Sequence, residues 1–259
     1  MRLTGVMSSN PVLVDAAGPV GRITLNVPER LNAVDPQMCV AVAQAVHRFD
    51  TDPAIRVIVL AGSGRGFCSG APLSADGATT GTLYAGADLV RSVLACRTPV
   101  VALVHGVAAG IGVPLALACD YVLASEAASF VLAFARIGLM PDGGATALVA
   151  ASIGRARAMR LALTGERLDA VTAASWGLVA ECVPSEEFEG RAEALVAAFA
   201  AGPTGALGET KAAVNAASVD VEAALGREEA GQLRLMDTAD YREGVAAFVA
   251  KRRAEFSGR

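Results

Sequence analysis

Two glycine-rich segments of the sequence could present backbone N–H groups to a ligand. They cover residues 62–71 and 104–112, and each follows an apolar run that predicts a buried strand. Glycine lets a backbone approach a ligand closely because it carries no side chain. Two preorganised N–H donors stabilise negative charge on a carbonyl oxygen, each by roughly 3 kcal/mol in a transition state. The alternative is that both segments are ordinary turns, and their spacing alone does not decide between these interpretations.

Strands and helices alternate through the first part of the chain, and helices alone follow. Asp35-Pro36 predicts a helix start, because an N-cap residue is followed by proline at the first helical position. Gly202-Pro203 is the predicted boundary between the mixed and helical parts. Hydrophobic patterns predict strands over residues 22–27, 56–61, 100–104, 121–124, 129–131 and 179–183. They predict helices over residues 83–96, 155–163, 170–176, 187–201, 204–216, 221–236 and 241–253, and a turn at 105–109 into a short helix.

Composition excludes several classes of protein. The chain has 259 residues, 53% of them hydrophobic, which suits one large domain or a domain with a small appendage. A net charge of −4 disfavours general binding to nucleic acid or to an anionic membrane. The five cysteines are scattered, which argues against a disulfide framework or a metal site and indicates a reducing cytoplasm. Glycines and Pro114 interrupt the apolar stretch 100–118, so it predicts no membrane span, and residues 1–14 lack signal-peptide features.

The order of four motifs resembles the crotonase, or enoyl-CoA hydratase/isomerase, family. Residues 28–33 (PERLNA) resemble the family's first loop in contact with coenzyme A. Residues 66–71 (GFCSGA) resemble its first oxyanion loop, and residues 99–112 resemble the second. Residues 137–144 (IGLMPDGG) are similar to the turn beside the acyl group. The combination and its order are specific, although no single motif is.

The resemblance implies a fold and an assembly. The expected fold class is α/β, a crotonase-like spiral of repeated strand-strand-helix units with a C-terminal helical oligomerisation region. Residues 1–201 would form the core with the acyl-CoA site, and residues 202–259 the helical trimerisation region. The expected partners are an acyl-CoA substrate and further copies of the chain, in a trimer or a hexamer made of two trimers.

The resemblance assigns the oxyanion donors to the N–H groups of Ala71 and Ile111. Hydratases of this family position and activate water with two glutamates. The matched motifs place Pro114 and Phe134 at those two positions. Neither side chain can accept or donate a proton, so water addition by the usual route is not expected.

One carboxylate, that of Asp142, remains in the turn that faces the acyl group in relatives. Some isomerases of the family, and its dehalogenase branch, use an acid at or near this position. A base there could take a proton from the carbon next to the carbonyl and return it elsewhere, which shifts a double bond. The alternative is that Asp142 caps a helix that starts near Gly143. Burial would raise its pKa and a helix N-terminus would lower it, so the sequence leaves the direction open.

Coenzyme A enters only as part of the substrate, and neither a separate cofactor nor a metal is expected. Arg30 is the best local candidate for a phosphate contact, by its position in the first loop and by guanidinium geometry. Leu31 and Ala33 belong to the same loop. The carbonyl groups near Ser69 and Ala71 could bind the adenine.

Further contacts are implied by the C-terminal helices and the acyl pocket. In relatives a helix of a neighbouring subunit can reach the coenzyme, and Phe248 and Lys251 match that region. The alternative for Lys251 is a basic helix C-terminus that complements the helix dipole. Pro114, Phe134 and Pro141 are expected to line the acyl pocket.

Three functions remain open at this point. The first is an enoyl-CoA isomerase that uses Asp142 with the amides of Ala71 and Ile111. The second is an enoyl-CoA hydratase or a thioester hydrolase that uses another acid. The third, which the apolar residues Pro114 and Phe134 keep open, is an acyl-CoA binding or carrier protein without catalysis.

Overall fold

A computed structural model describes residues 10–73, 79–218 and 220–258 of the chain. The strands in these ranges are β1 Val12–Ala17, β2 Val20–Leu25, β3 Val57–Gly62, β4 Gly66–Cys68, β5 Val100–Val104, β6 Val107–Ala109, β7 Tyr121–Ser125, β8 Ser129–Val131, β9 Arg167–Asp169 and β10 Glu181–Val183. The helices are α1 Pro36–Asp50, α2 Thr80–Ala95, α3 Gly112–Leu117, α4 Ala145–Thr164, α5 Ala170–Trp176, α6 Phe188–Ala201, α7 Thr204–Ser218, α8 Val221–Met236 and α9 Ala239–Val249. Two 3-10 helices cover Pro28–Arg30 and Ala133–Ile137. None of the helices in the described ranges combines the length and the apolar character that crossing a bilayer requires.

The strands form two sheets, and successive strands of the chain lie alternately in one sheet and the other from β3 to β8. The larger sheet has the order β1-β2-β3-β5-β7-β10, and the smaller one has the order β4-β6-β8-β9. Thus β3 and β4, β5 and β6, and β7 and β8 each place one strand in each sheet before the chain enters the next helix. The strands from β2 to β10 in the larger sheet pair in parallel. This arrangement confirms the predicted spiral of strand-strand-helix units.

Alternate residues of the central strands face two different cores. Ile58 and Leu60 of β3 belong to the main core, which also holds the buried side chains of α1 and, from α2, Leu89, Val90 and Val93. Val57 and Val59 belong to a second core with Leu195 of α6. A parallel strand covered on both faces has no polar face, which explains the continuous apolar runs of the sequence.

Several short elements differ from the sequence prediction. β6 lies where the pattern predicted a turn into a helix, and β4 lies within a predicted loop. These strands have three residues each, which is too short for a two-residue period to be recognised, and they form by pairing with each other and with β8. The predicted helix 155–163 is the second half of α4, which bends at Gly154 with φ 76° and ψ 160°.

The C-terminal helices pack directly on the core. α8 contacts α2 and α4, and α9 contacts the 3-10 helix Ala133–Ile137. Lys211 of α7 is buried, with its Nζ 2.6 Å from Asp120 Oδ2. The same oxygen accepts a hydrogen bond from Val100 N at 2.7 Å, which fixes the start of β5. The division into a core of residues 1–201 and a trimerisation region of residues 202–259 stays a prediction.

Candidate active site

A cavity of about 260 Å³ lies where both glycine-rich loops meet the turn that carries Asp142. Its walls are mainly apolar and include Leu83 of α2, Phe134 of the 3-10 helix and Met236 of α8. Among the described residues that line it, Asp142 is the only carboxylate. The cavity therefore suits an apolar group that reacts with a single acid or base.

The two glycine-rich loops touch through their backbones beside this cavity. Gly70 and Gly110 have φ values of 105° and 54°, and a Cβ atom on Gly70 would lie 3.7 Å from Gly110 Cα. A Cβ atom on Gly112 would lie only 2.5 Å from the carbonyl oxygen of Cys68. Positive φ and close backbone approach are the two conditions that favour glycine. The glycines of the sequence motif therefore bring the loops together.

The amides of Ala71 and Ile111 follow the contact between the two loops, and both residues line the cavity. Within the described ranges, neither amide donates a hydrogen bond to another protein group. A carbonyl oxygen in the cavity could use such unpaired donors. Their role as oxyanion donors stays a prediction.

Asn32 holds the first loop in place from within the protein. Its side chain is fully buried, and its Oδ1 accepts a hydrogen bond from Val27 N at 2.9 Å. Its Nδ2 donates to the carbonyl oxygens of Ser63 and Gly66, each at 2.8 Å. Asn32 has a φ of 57°, a left-handed conformation that asparagine tolerates better than most residues. The motif that resembles a coenzyme loop therefore also supports the first glycine-rich loop.

Asp142 is partly open to the cavity and otherwise enclosed by protein. Its Oδ2 accepts a hydrogen bond from Gln232 Nε2 at 2.9 Å. Burial raises the pKa of Asp142 to about 7, the carboxylate of Glu228 adds to the rise, and the hydrogen bond from Gln232 opposes it. A carboxyl group with this pKa can both accept and return a proton near neutral pH.

Glu228, and not Asp142, caps helix α4. The N-cap residue of this helix is Gly144, which has no side chain to accept a hydrogen bond from the first turn. Glu228 Oε2 accepts from Gly144 N at 2.6 Å, and its Oε1 accepts from Thr146 N at 2.8 Å and from the Thr146 hydroxyl group. The capping alternative for Asp142 is therefore wrong, because a side chain from α8 takes the free N–H groups.

The sequence analysis missed Gln232 and Glu228. The two residues are one turn apart on α8, where their polar side chains match a solvated helix face. Both are buried, with exposures of 0% and 1%. The only sequence signal that could have found them is their i, i+4 spacing in a helix, and that spacing does not reveal the partner.

The residues predicted to bind coenzyme A lie along the first loop. Ser69 donates from its hydroxyl group to Arg30 O at 2.9 Å and from its N–H group to Leu31 O at 2.9 Å. Arg30 is exposed, and Ala33 is buried, so Ala33 has little side chain to offer a ligand. Ala71 and Ser69 line the cavity. Coenzyme contacts by these residues remain a prediction.

The remaining predicted residues are spread over several places. Phe134 and Phe248 line the cavity with Asp142, whereas Pro141 lines a separate cavity of about 230 Å³ against α4. Pro114 is near Gly143, because a Cβ atom on Gly143 would lie 3.2 Å from Pro114 Cγ. Lys251 is exposed just beyond α9. Arg136, which the sequence analysis did not single out, is also among the residues that line the cavity.

Comparison with known proteins identifies the family of this chain. The model of the enoyl-CoA hydratase/isomerase family matches residues 15–259. The chain belongs to the enoyl-CoA hydratase/isomerase family. Members of this family are enzymes of the lyase or isomerase kind, and the chain shares their fold as well as their sequence.

Relatives of this enoyl-CoA hydratase/isomerase family member include proteins named as isomerases and proteins named as hydratases. The chain is 40% identical over 249 residues to a 1,2-epoxyphenylacetyl-CoA isomerase of Escherichia coli, covering 92% of this chain and 94% of that one. It is 41% identical over 260 residues to a probable enoyl-CoA hydratase of Rhodobacter capsulatus, covering 98% and 100%. A crystal structure of an enoyl-CoA hydratase from Mycobacterium avium subsp. paratuberculosis superimposes with a TM-score of 0.90 at 44% identity, covering 96% and 99%.

Proposed function

We propose that this family member isomerises a double bond in a fatty acyl-CoA thioester, with Asp142 as the acid and base. One observation carries the proposal: two unpaired backbone amides share a cavity with a single carboxylate among the described lining residues. Phe134 lines that cavity at a position where the resemblance places a hydratase glutamate. The similarity to a protein named 1,2-epoxyphenylacetyl-CoA isomerase supports an isomerase that acts on a coenzyme A thioester.

The proposed reaction of a 3-enoyl-CoA needs one base and one oxyanion hole. The carboxylate of Asp142 removes a proton from C2, and the electron pair delocalises onto the thioester oxygen. The N–H groups of Ala71 and Ile111 stabilise the negative charge on that oxygen. The protonated Asp142 then returns the proton to C4, which gives a 2-enoyl-CoA and restores the carboxylate. No atom is gained or lost, and no cofactor beyond the coenzyme A of the substrate takes part.

The proposed position of the coenzyme follows the loop of residues 30–33. Arg30 is exposed, and its carbonyl oxygen accepts a hydrogen bond from Ser69, which lines the cavity. The guanidinium group of Arg30 can therefore reach a phosphate outside the acyl pocket. Phe248 joins the cavity wall from α9, and Lys251 follows at the end of that helix. These positions would leave the apolar cavity for the acyl group.

The purified protein should convert 3-enoyl-CoA to 2-enoyl-CoA without adding water. The thioester of the product is conjugated, so its ultraviolet absorbance rises, and chromatography identifies the product. The control is incubation of the same protein with 2-enoyl-CoA. Hydration of 2-enoyl-CoA as the only turnover would contradict the proposal in favour of a hydratase. Release of free coenzyme A would point to a thioester hydrolase, and binding without turnover to an acyl-CoA carrier.

We also propose that residues 202–259 join copies of the chain into a trimer or a pair of trimers. Large apolar side chains are exposed on these helices: Val214 is 57% exposed, Phe248 56% and Val249 50%. Burial of such side chains against another copy would remove them from water. Sedimentation velocity should give three or six times the monomer mass of 26.2 kDa, and a sharp monomer peak at micromolar concentration would contradict this assembly.

A further inference from the structure

One face of α8 holds the turn that carries Asp142. Glu228 accepts hydrogen bonds from Gly144 and Thr146 on one side of Asp142, and Gln232 donates to Met140 O at 2.8 Å on the other. Between them, Gly231 leaves space for Met140, since a Cβ atom on Gly231 would lie 2.1 Å from Met140 Sδ. The turn therefore has polar attachments to α8 both before and after the carboxylate.

The amide of Gln232 can take only one orientation here. Its Nε2 donates to two acceptors, Met140 O and Asp142 Oδ2. A flipped amide would set Gln232 Oε1 against a backbone carbonyl oxygen, which has no proton to give. In the observed orientation Oε1 is buried without a hydrogen-bond partner among the described residues. An apolar side chain of similar size would remove that unpaired acceptor, but it would also leave Met140 O and Asp142 Oδ2 without this donor, so the amide serves both the turn and the carboxylate.

We propose that Gln232 is a positioning residue for the isomerisation. Glu228, on the same face of α8, opposes the effect of Gln232 on the Asp142 carboxylate. The Gln232 amide holds Asp142 Oδ2 in place. Asp142 Oδ1 accepts no hydrogen bond from the described residues, so it is the oxygen that meets the substrate. This inference rests on the proposed function, because it assigns a purpose to a contact with the proposed base.

The two α8 residues affect the Asp142 carboxylate with opposite signs. A hydrogen bond donated by Gln232 stabilises the ionised form and lowers the pKa of Asp142. The negative charge of Glu228 destabilises the ionised form and raises the pKa of Asp142. Two other residues with ionisable side chains line the same cavity: Cys39 on α1, where burial raises the pKa of the thiol to about 12, and Arg136. Cys39 thus stays neutral near pH 7, so its charge does not change where Asp142 titrates.

The test measures the pH dependence of kcat/KM for isomerisation in wild type, Gln232→Met and Glu228→Gln. The reaction starts from the carboxylate, so its rate rises as pH increases through the pKa of Asp142. Gln232→Met removes the donor and should move this rise to higher pH by about one unit. Glu228→Gln removes the like charge, keeps one acceptor for α4, and should move the rise to lower pH. Arg234→Gln, an exposed change on the same helix, should leave the profile where it is in wild type.

Carbon-13 NMR of the aspartate carboxyl groups supplies a readout that needs no turnover. The Asp142 signal is the one that Asp142→Asn removes. Its titration midpoint should be highest in Gln232→Met, intermediate in wild type and lowest in Glu228→Gln. Gln232→Asn serves as a second variant if Gln232→Met does not fold, because the shorter amide cannot reach both acceptors. Midpoints that coincide, or that move in one direction for both variants, overturn the inference. A wild type that isomerises nothing while the order of midpoints holds would refute the proposed function and leave the electrostatic pairing intact.

Discussion

Asp142→Asn is expected to lower kcat for isomerisation by a factor of about 10² to 10⁴, the usual contribution of a positioned acid or base. The asparagine side chain has almost the same shape, and its carbonyl oxygen can still accept the hydrogen bond from Gln232. The amides of Ala71 and Ile111 are unchanged, so acyl-CoA binding should persist. Steady-state kinetics with 3-enoyl-CoA, together with a direct binding measurement, separates lost chemistry from lost binding. Activity equal to that of wild type would exclude Asp142 as the base.

The same substitution should stabilise the protein at alkaline pH. Asp142 has a pKa of about 7 when folded and about 4 when unfolded, so the folded state binds the proton more tightly. Stability from this group is complete below pH 4 and is lost as pH rises through 7, up to a limit of about 4 kcal/mol. Asparagine has no proton to lose, so the variant should unfold at higher urea concentration than wild type at pH 8 and show a smaller difference at pH 5. Asp88→Asn, a change at an exposed carboxylate, is the matched control and should show no such gain.

Gly112→Ala should impair both stability and catalysis because it forces the two glycine-rich loops apart. The added Cβ would lie 2.5 Å from the Cys68 carbonyl oxygen and 2.9 Å from Cys68 Cβ. Backbone cannot rotate out of the way, so α3 or the first loop must move, at a cost of about 1–3 kcal/mol. Movement of either loop displaces the amide of Ala71 or Ile111, the two proposed oxyanion donors, and loss of one such donor should lower kcat by about 10² to 10³.

Gly226→Ala is the matched control for this substitution. Gly226 also lies in a helix, α8, but an added Cβ there would meet nothing within 4 Å. Alanine in a helix interior is more stable than glycine by up to about 1 kcal/mol, so this variant should unfold later and keep the kcat of wild type. Urea unfolding and kinetics measure both effects. If Gly112→Ala matched wild type in both, the close contact of the loops would have no part in the site.

The sequence determined those features whose causes are local. The apolar run 100–104 matches β5, and the amphipathic segment 221–236 matches α8 in its bounds. The motif around Gly70 and Gly110 was recognisable because close backbone contact leaves few alternatives to glycine. Short strands were not recognisable in this way, since β6 exists only through its pairing with β4 and β8.

Only the tertiary structure decided what surrounds Asp142. Gln232 and Glu228 lie more than eighty positions away in the chain, on a helix whose sequence pattern does not reveal which turn it will face. The sequence did not decide between the two roles considered for Asp142, catalysis and helix capping, because the Pro-Asp-Gly-Gly turn permits both. In the structure Asp142 does not cap α4, because Glu228 accepts the hydrogen bonds from the N–H groups at the start of that helix. Charge and hydrogen bonding act through space, so a pKa near 7 depends on contacts that local sequence cannot encode.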